Sequence, residues 1–163
     1  MWVDRRGTVS CWPTPSNDGT CLVNIEYELE NDSLILHDVV ISIPLPYVTV
    51  ILDPIVLIDA YTPCPRPGSY PTVSSHTGDW SLNPSSHSLD WTIALITPSE
   101  NSGSLEFTVG GDDPASFFPV RVSFVGQGSM AGLHVDVAKH VTSGEVLVFS
   151  QDAILTTEDY LLV

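Results

Sequence analysis

The segment SHSLDWTIALITPSENSGSLEFTVGG, from Ser86 to Gly111, carries the clearest structural pattern in the chain. Large apolar residues alternate with polar or small ones before a polar break, and the alternation returns after the break at Leu105, Phe107 and Val109. A two-residue period is typical of β-strands that bury one face. The segment therefore predicts two strands joined as an antiparallel hairpin, with Trp91 packed in the core.

The same period dominates the rest of the chain, and no long window shows the 3.6-residue period of a helix. CLVNIEYELE (21–30) alternates apolar with mostly acidic residues. In LILHDVVISIPLP (34–46) the alternation changes parity near His37-Asp38, which predicts a β-bulge. The two prolines predict either that the strand ends there or that it lies at the edge of a sheet. Further alternation follows over 118–124 and 133–137, and two short strands are predicted around Gln151-Asp152. Roughly eight to ten strands result, which indicates an all-β antiparallel sandwich.

The charge of the chain excludes several classes of partner. Five Lys and Arg residues stand against 20 Asp and Glu residues, which gives a formal net charge of −15. Nucleic acids and anionic lipids bind basic surfaces, so neither is an expected direct partner. A partner protein should instead offer basic or apolar groups. The alternative is that the negative charge only keeps the protein soluble and selects no partner.

Cysteine usage and the apolar segments indicate a soluble intracellular protein. Cys11, Cys21 and Cys64 are an odd number without a C-x-x-C pair, which disfavours a disulfide framework. The first ten residues contain no apolar signal-peptide core. The longest apolar stretch, 47–61, is interrupted by Asp53-Pro54 and is too short to span a bilayer.

No pattern in the sequence indicates catalysis, a cofactor or a bound metal. His134, Asp136 and His140 share strand parity and are one candidate for a metal-dependent hydrolase, but a solvated strand face explains them more simply. GQGSMAG (126–132) lacks the Lys and Ser/Thr of a phosphate-binding P-loop, and no G-x-S-x-G elbow is present. His76, Asp79 and His87 fall in a Ser-rich stretch that is predicted to form loops and turns.

Two further tryptophans are candidate contact residues. Trp12 and Trp80 lie near turn-forming residues, where each is expected to be half exposed. Aromatic side chains beside strand edges can anchor partner peptides, but they can equally cap the end of a sandwich.

Several segments together resemble a known family. CWPTPSNDGTCLVNIEYELEND (11–32), HDVVISIPLP (37–46), GDW, LDWTI, SGSLEF, FFPVRVSF and the C-terminal VLVFSQDAILTTEDYLLV follow the order and spacing of the μ-homology domain of coatomer delta subunits. The resemblance implies two β-sandwich subdomains, with the second inserted into the first. On that basis 1–163 would be a partial domain. About 12–116 would form the inserted subdomain, with an atypical insertion at 47–67, and about 117–163 would be the returning C-terminal strands of the first subdomain.

The resemblance also indicates departures from the family. The earlier strands of the first subdomain would be missing, so the returning strands should expose an apolar edge, and the isolated chain should be less stable than an intact domain. Related clathrin-adaptor subunits bind tyrosine signals through a Trp and an Arg on a C-terminal strand. VLVFSQD (146–152) contains neither residue, so that site is not carried over, and no peptide-binding residues are assigned.

The function implied by the resemblance is that of a non-catalytic subunit of the coatomer (COPI) vesicle coat, without a cofactor. It would act in Golgi-to-ER retrograde and intra-Golgi transport, in the cytoplasm and peripherally on Golgi membranes. Its partners would be other coatomer subunits, an Arf-family GTPase through the assembled coat, and Trp-motif peptides of an ER tether and an Arf GTPase-activating protein. The alternative is a structural or adhesive β-sandwich that is unrelated to vesicle coats.

Overall fold

The computed structural model describes residues 7–46, 70–111, 113–129 and 133–163. The described residues form eleven strands and one short 3₁₀-helix at Pro114–Phe117. The strands are β1 (Thr8–Pro15), β2 (Thr20–Glu28), β3 (Ile35–Pro44), β4 (Thr72–His76), β5 (Asp79–Asn83), β6 (Ser88–Ile96), β7 (Ser102–Gly110), β8 (Val120–Gln127), β9 (Ala138–Lys139), β10 (Val146–Leu147) and β11 (Ile154–Leu162). The predicted insertion at 47–67 lies outside the described residues.

Two antiparallel sheets pack face to face around one core. The first has the strand order β1-β2-β7-β4, and the second has the order β11-β8-β3-β6-β5. Strands β9 and β10 form a separate two-stranded ribbon. The predicted all-β antiparallel sandwich is confirmed. No helix in the described parts of the chain has the length and apolar character needed to cross a bilayer.

The core is built from the inward-facing positions of both sheets. Trp91 is completely buried, and its ring lies 5.4 Å from that of Tyr27, measured between centroids. Phe107 and Phe117 meet edge to face with centroids 6.4 Å apart. The first contact joins β6 to β2, and the second joins β7 to the 3₁₀-helix, so aromatic packing connects the layers. The prediction that Trp91 belongs to the core is confirmed.

The predicted hairpin between β6 and β7 is wrong. β6 pairs with β3 and β5, whereas β7 pairs with β2 and β4 in the other sheet. Between them the chain crosses the sandwich through a single bridge at Thr97 and Glu100. Alternation identifies which face of a strand is buried, but both sheets bury a face, so alternation does not identify the partner strand.

The predicted bulge in β3 is confirmed. Asp38 has a φ of 51°, and the register between β3 and β8 shifts between His37 and Val40. Of the two alternatives predicted from the prolines, the strand end is confirmed, since β3 ends at Pro44, and the edge position is wrong, since β3 lies in the middle of its sheet. The bulge allows both halves of β3 to bury their apolar residues even though the parity of those residues changes.

The predicted strand at 133–137 is wrong. These residues lie outside the strands, and Leu133 is 74% exposed. The Val135 N–H donates to the side-chain oxygen Oε1 of Gln151 at 2.6 Å instead of to a neighbouring strand. An alternating segment forms a strand only where a partner strand completes its backbone hydrogen bonds. Within the described residues, no strand pairs with 133–137.

The boundary between two subdomains near residue 117 stays a prediction. β8 pairs with β3, and β11 pairs with β8, so in the structure both continue the five-stranded sheet. β11 is an edge strand of that sheet, and Ile154 and Leu161 on it are exposed. The expectation of lower stability than that of an intact domain is likewise untested.

The thiols of Cys11 and Cys21 are expected to be unreactive in the folded chain. Burial, together with the nearby Cys21 thiol, raises the pKa of Cys11 to about 12, and burial also raises the pKa of Cys21. The thiolate is the reactive form of cysteine. In a Cys64→Ser variant at pH 8, the two thiols should therefore react with a disulfide reagent about 100-fold more slowly in the folded protein than in the protein unfolded with guanidinium. Comparable rates in the two states would contradict this.

The same shift predicts the direction of a pH effect on stability. The folded state holds the Cys11 proton more tightly than the unfolded state, whose thiol pKa is near 9.0. The contribution of the protonated Cys11 thiol to the free energy of unfolding is therefore fully present below pH 9 and is lost as the pH rises toward 12.

Candidate protein-binding groove

The outer face of the four-stranded sheet presents a regular array of polar side chains. In β1, β2 and β7 the odd-numbered residues point into the core and the even-numbered residues point outward. The register places Thr8, Glu28 and Ser102 in one row across the three strands, and Ser10, Glu26 and Ser104 in the next. Side chains in adjacent rows on one face are close enough to act on one ligand.

A groove of about 400 Å³ lies across these rows. The small side chains of Ser10, Ser102 and Ser104 line it. The large side chains in its wall are those of Trp12, Tyr27 and the two glutamates of β2. Trp12 is 51% exposed although it lies within β1. The groove thus combines an accessible aromatic ring, two carboxylates and several hydroxyl groups.

Gly103 and Tyr27, which both line the groove, are in close contact. A Cβ atom at Gly103 would lie 2.6 Å from Cε1 of the Tyr27 ring, so no other residue fits without displacing that ring. Tyr27 is itself nearly buried, and burial raises the pKa of its hydroxyl, with the charge of Glu100 adding to the shift.

Thr77 connects the groove to the core. Nε1 of the buried Trp91 donates a hydrogen bond to the Thr77 carbonyl oxygen. The Thr77 N–H donates to the Ser104 carbonyl oxygen at 2.9 Å, and the Ser104 N–H donates to Oγ1 of Thr77 at 3.4 Å. Trp91 therefore has no exposed surface of its own, but it holds in place a residue that lines the groove.

The outer face is acidic. Glu26, Glu28 and Glu106 project from it, and β1, β2, β4 and β7 contain no Lys or Arg. Glu106 accepts a hydrogen bond from Oγ of Ser74 at 2.6 Å, and Glu26 accepts one from Nδ2 of Asn24 at 3.5 Å. These neutral donors orient the carboxylates without cancelling their charge.

Comparison with known proteins identifies the family. A model of the adaptor complexes medium subunit family matches residues 7–160.

This chain belongs to the adaptor complexes medium subunit family.

Its relatives include coatomer delta subunits, which confirms the resemblance found in the sequence. Coatomer subunit delta-2 of rice (Oryza sativa subsp. japonica) is 36% identical over 156 residues, covering 96% of this chain and 26% of the relative. The probable coatomer subunit delta of Caenorhabditis elegans is 29% identical over 155 residues, covering 94% of this chain and 26% of the relative. The chain thus spans about a quarter of the length of these relatives.

A solved structure shares the fold. The yeast delta-COP-I μ-homology domain, in a complex with a Dsl1 WxWxV peptide, superimposes with a TM-score of 0.64 at 20% sequence identity. The match covers 97% of this chain and 57% of the yeast one. At this identity the comparison establishes the sandwich architecture and does not transfer individual binding residues.

The two candidate tryptophans both lie in strands, and Trp80 lies just after the bend at 77–78, near turn-forming residues as expected. Trp12 is half exposed as expected, but it stands in the middle of the edge strand β1. Trp80 lies in β5 opposite Trp91 and packs partly against the core, so it lines no part of the groove. Among the residues of the Ser-rich stretch, His76 ends β4 and Asp79 begins β5, whereas His87 lies in a turn with a φ of 52°.

The candidate metal ligands do not converge. Nε2 of His134 lies 2.7 Å from Oδ1 of Asp136, and both side chains are largely exposed. His140 faces its own turn, where Nδ1 is 3.4 Å from the Thr142 backbone nitrogen and 3.3 Å from that of Ser143. Within the ranges that the structure describes, no three His, Cys, Asp or Glu side chains are placed to hold an ion.

Proposed function

We propose that this chain is part of a delta-type coatomer subunit, a non-catalytic component of the COPI vesicle coat. The observation that carries the proposal is the 36% identity to a rice coatomer delta subunit over 96% of the chain. The protein would act in Golgi-to-ER retrograde and intra-Golgi transport. It would work from the cytoplasm, on Golgi membranes, together with other coatomer subunits and with an Arf-family GTPase through the assembled coat.

We further propose that the sandwich binds short tryptophan-containing peptides of an ER tether and an Arf GTPase-activating protein. The shared architecture supports this, because the yeast domain was solved with a WxWxV peptide. An indole that enters a preformed site concentrates binding energy in one side chain, so a short peptide can bind specifically. The division into an inserted subdomain at about 12–116 and returning strands at about 117–163 is part of the same proposal.

The direct test is a binding titration of the chain with a peptide of the pattern Trp-x-Trp-x-Val. We expect saturable binding that is lost when both peptide tryptophans are replaced by alanine, because the indoles supply most of the contact area. Equal binding of the two peptides, or no binding of either, would remove the peptide-recognition role. In cells, capture of other coatomer subunits by the full-length protein tests the coat role separately.

A further inference from the structure

We propose that the groove on the outer face of the four-stranded sheet binds a basic segment of a partner protein, with a Lys or Arg side chain placed between Trp12 and the carboxylates of Glu26 and Glu28. Binding of a basic segment differs from binding of tryptophan motifs, and the proposed basic-segment site does not depend on the proposed peptide-binding function. The proposal rests on the register of the sheet, the exposure of Trp12 and the distribution of charge.

The register brings an aromatic ring and a carboxylate together. Trp12 lies opposite Asn24, and Ser10 lies opposite Glu26, so Trp12 and Glu26 are diagonal neighbours on one face. Diagonal pairs lie within reach of long and aromatic side chains. A cation seated there would contact the face of the indole and a carboxylate at once, and these two attractions reinforce each other.

Glu28 provides a second carboxylate two residues further along the same face. Glu26 and Glu28 are both exposed, and the intervening hydroxyl side chains of Ser10 and Thr8 are short. A guanidinium or ammonium group can therefore approach both carboxylates from solvent without displacing a bulky side chain.

The distribution of charge selects a cationic ligand. Among the described residues, Arg121 and Lys139 are the basic ones, and they lie in β8 and β9, away from the four-stranded sheet. The whole chain carries a formal charge of −15. Such a surface steers basic segments toward it and repels phosphate groups, so nucleic acids and anionic lipid surfaces are poor occupants.

The dimensions of the groove suit an extended peptide. It crosses β1, β2 and β7, whose spacing of about 4.8 Å makes the crossing about 10 Å long. Three residues of extended chain span a similar distance. The expected ligand is therefore a short, extended basic segment with one cationic side chain directed at the Trp12–Glu26 pair.

The test is a titration of the whole chain with two nine-residue peptides, GKSKSKSKG and its glutamine counterpart GQSQSQSQG, at low salt. The indole N–H signal of Trp12, assigned with a Trp12→Phe variant, reports on the site in two-dimensional NMR spectra. We expect the lysine peptide to shift this signal with an affinity about tenfold higher than that of the glutamine peptide. Glu26→Gln with Glu28→Gln should weaken binding of the lysine peptide about tenfold.

A matched control separates a local site from the general field of the protein. Glu145→Gln with Asp152→Asn removes the same charge from exposed positions outside the groove. This variant should bind the lysine peptide within about twofold of the parent. An equal loss in both double variants, or an unmoved Trp12 signal, would mean that only net charge attracts the peptide and would overturn the proposal.

The chain's own amino-terminal arginines are the competing occupant. Arg5 and Arg6 precede β1 closely in sequence. If the lysine peptide binds only to an Arg5→Gln, Arg6→Gln variant, the groove is occupied by this chain itself, and the assignment to a partner protein is wrong. Failure of the Trp-x-Trp-x-Val peptide to bind, in contrast, would leave this result unaffected.

Discussion

Replacing Trp91 with alanine is expected to lower the free energy of unfolding by about 3–5 kcal/mol, which is the usual cost of truncating a large buried aromatic side chain. Trp91 is 0% exposed, and it packs against Tyr27 from the opposite sheet. The substitution removes this contact and leaves a cavity between the layers. Because small domains are stable by only about 5–15 kcal/mol, much of the population should be unfolded under mild denaturant.

Urea denaturation followed by far-UV circular dichroism checks this expectation, since that signal comes mainly from the peptide backbone and its transition midpoint can be compared between variants. Trp12→Ala is the matched control. It makes the same chemical change at a half-exposed position in an edge strand, where the cost should stay within about 1 kcal/mol. A Trp91→Ala variant as stable as the Trp12→Ala variant would contradict the assignment of Trp91 to the core.

Trp91→Phe separates packing from hydrogen bonding at the same position. The phenyl ring retains most of the apolar contact but cannot donate to the Thr77 carbonyl oxygen. We expect an intermediate loss of about 1–2 kcal/mol. Because Thr77 also lines the groove, the backbone amide signal of Ser104, whose N–H donates to Thr77, should move in NMR spectra of this variant.

In the paired strands most of the buried side chains could be predicted from the sequence, because burial there follows the two-residue period of each strand. Leu133, Val135 and Val137 alternate in the same way but are exposed. Val23, Ile25 and Tyr27 in β2 are buried as the alternation indicates. The bulge at Asp38 was equally predictable, since a parity change within one apolar segment requires an extra residue. These features depend on neighbours in sequence alone.

Strand pairing was not predictable in the same way. β6 and β7 look like a hairpin because they are adjacent in sequence and share a pattern, yet they belong to opposite sheets. The segment 133–137 alternates as well as β6 does but pairs with no strand among the described residues. In both cases the missing information is long-range hydrogen bonding, which a single alternating segment does not encode.

The groove illustrates the same limit at the functional level. Glu26 and Glu28 were recognisable as outward-facing, and Trp12 as half exposed. Their proximity depends on Ser10 lying opposite Glu26, a register that only the folded sheet specifies. The contact of Gly103 with Tyr27 could not be predicted from the sequence either, because a glycine in an alternating strand does not indicate which side chain packs against it.

Gly128→Ala is the substitution outside the core for which we expect the largest effect. Gly128 follows β8 with a φ of 118°, a conformation that residues with a side chain rarely adopt, and its N–H donates to the Ala153 carbonyl oxygen at 2.9 Å. A Cβ atom there would lie 2.5 Å from the Ser33 carbonyl oxygen. The substitution must therefore both strain the backbone and separate the 31–34 turn from the end of β8.

Gly144→Ala distinguishes these two costs. Gly144 also has a positive φ, of 71°, but a Cβ atom there would meet nothing within 4 Å. Its replacement should cost about 1 kcal/mol through backbone conformation alone. Gly128→Ala should cost about 3 kcal/mol or more, because the backbone contact adds to the strain and the neighbouring strand β11 loses its anchor at Ala153. Urea midpoints of the two variants provide the comparison, and equal midpoints would show that Ser33 does not approach β8 as closely as the structure indicates.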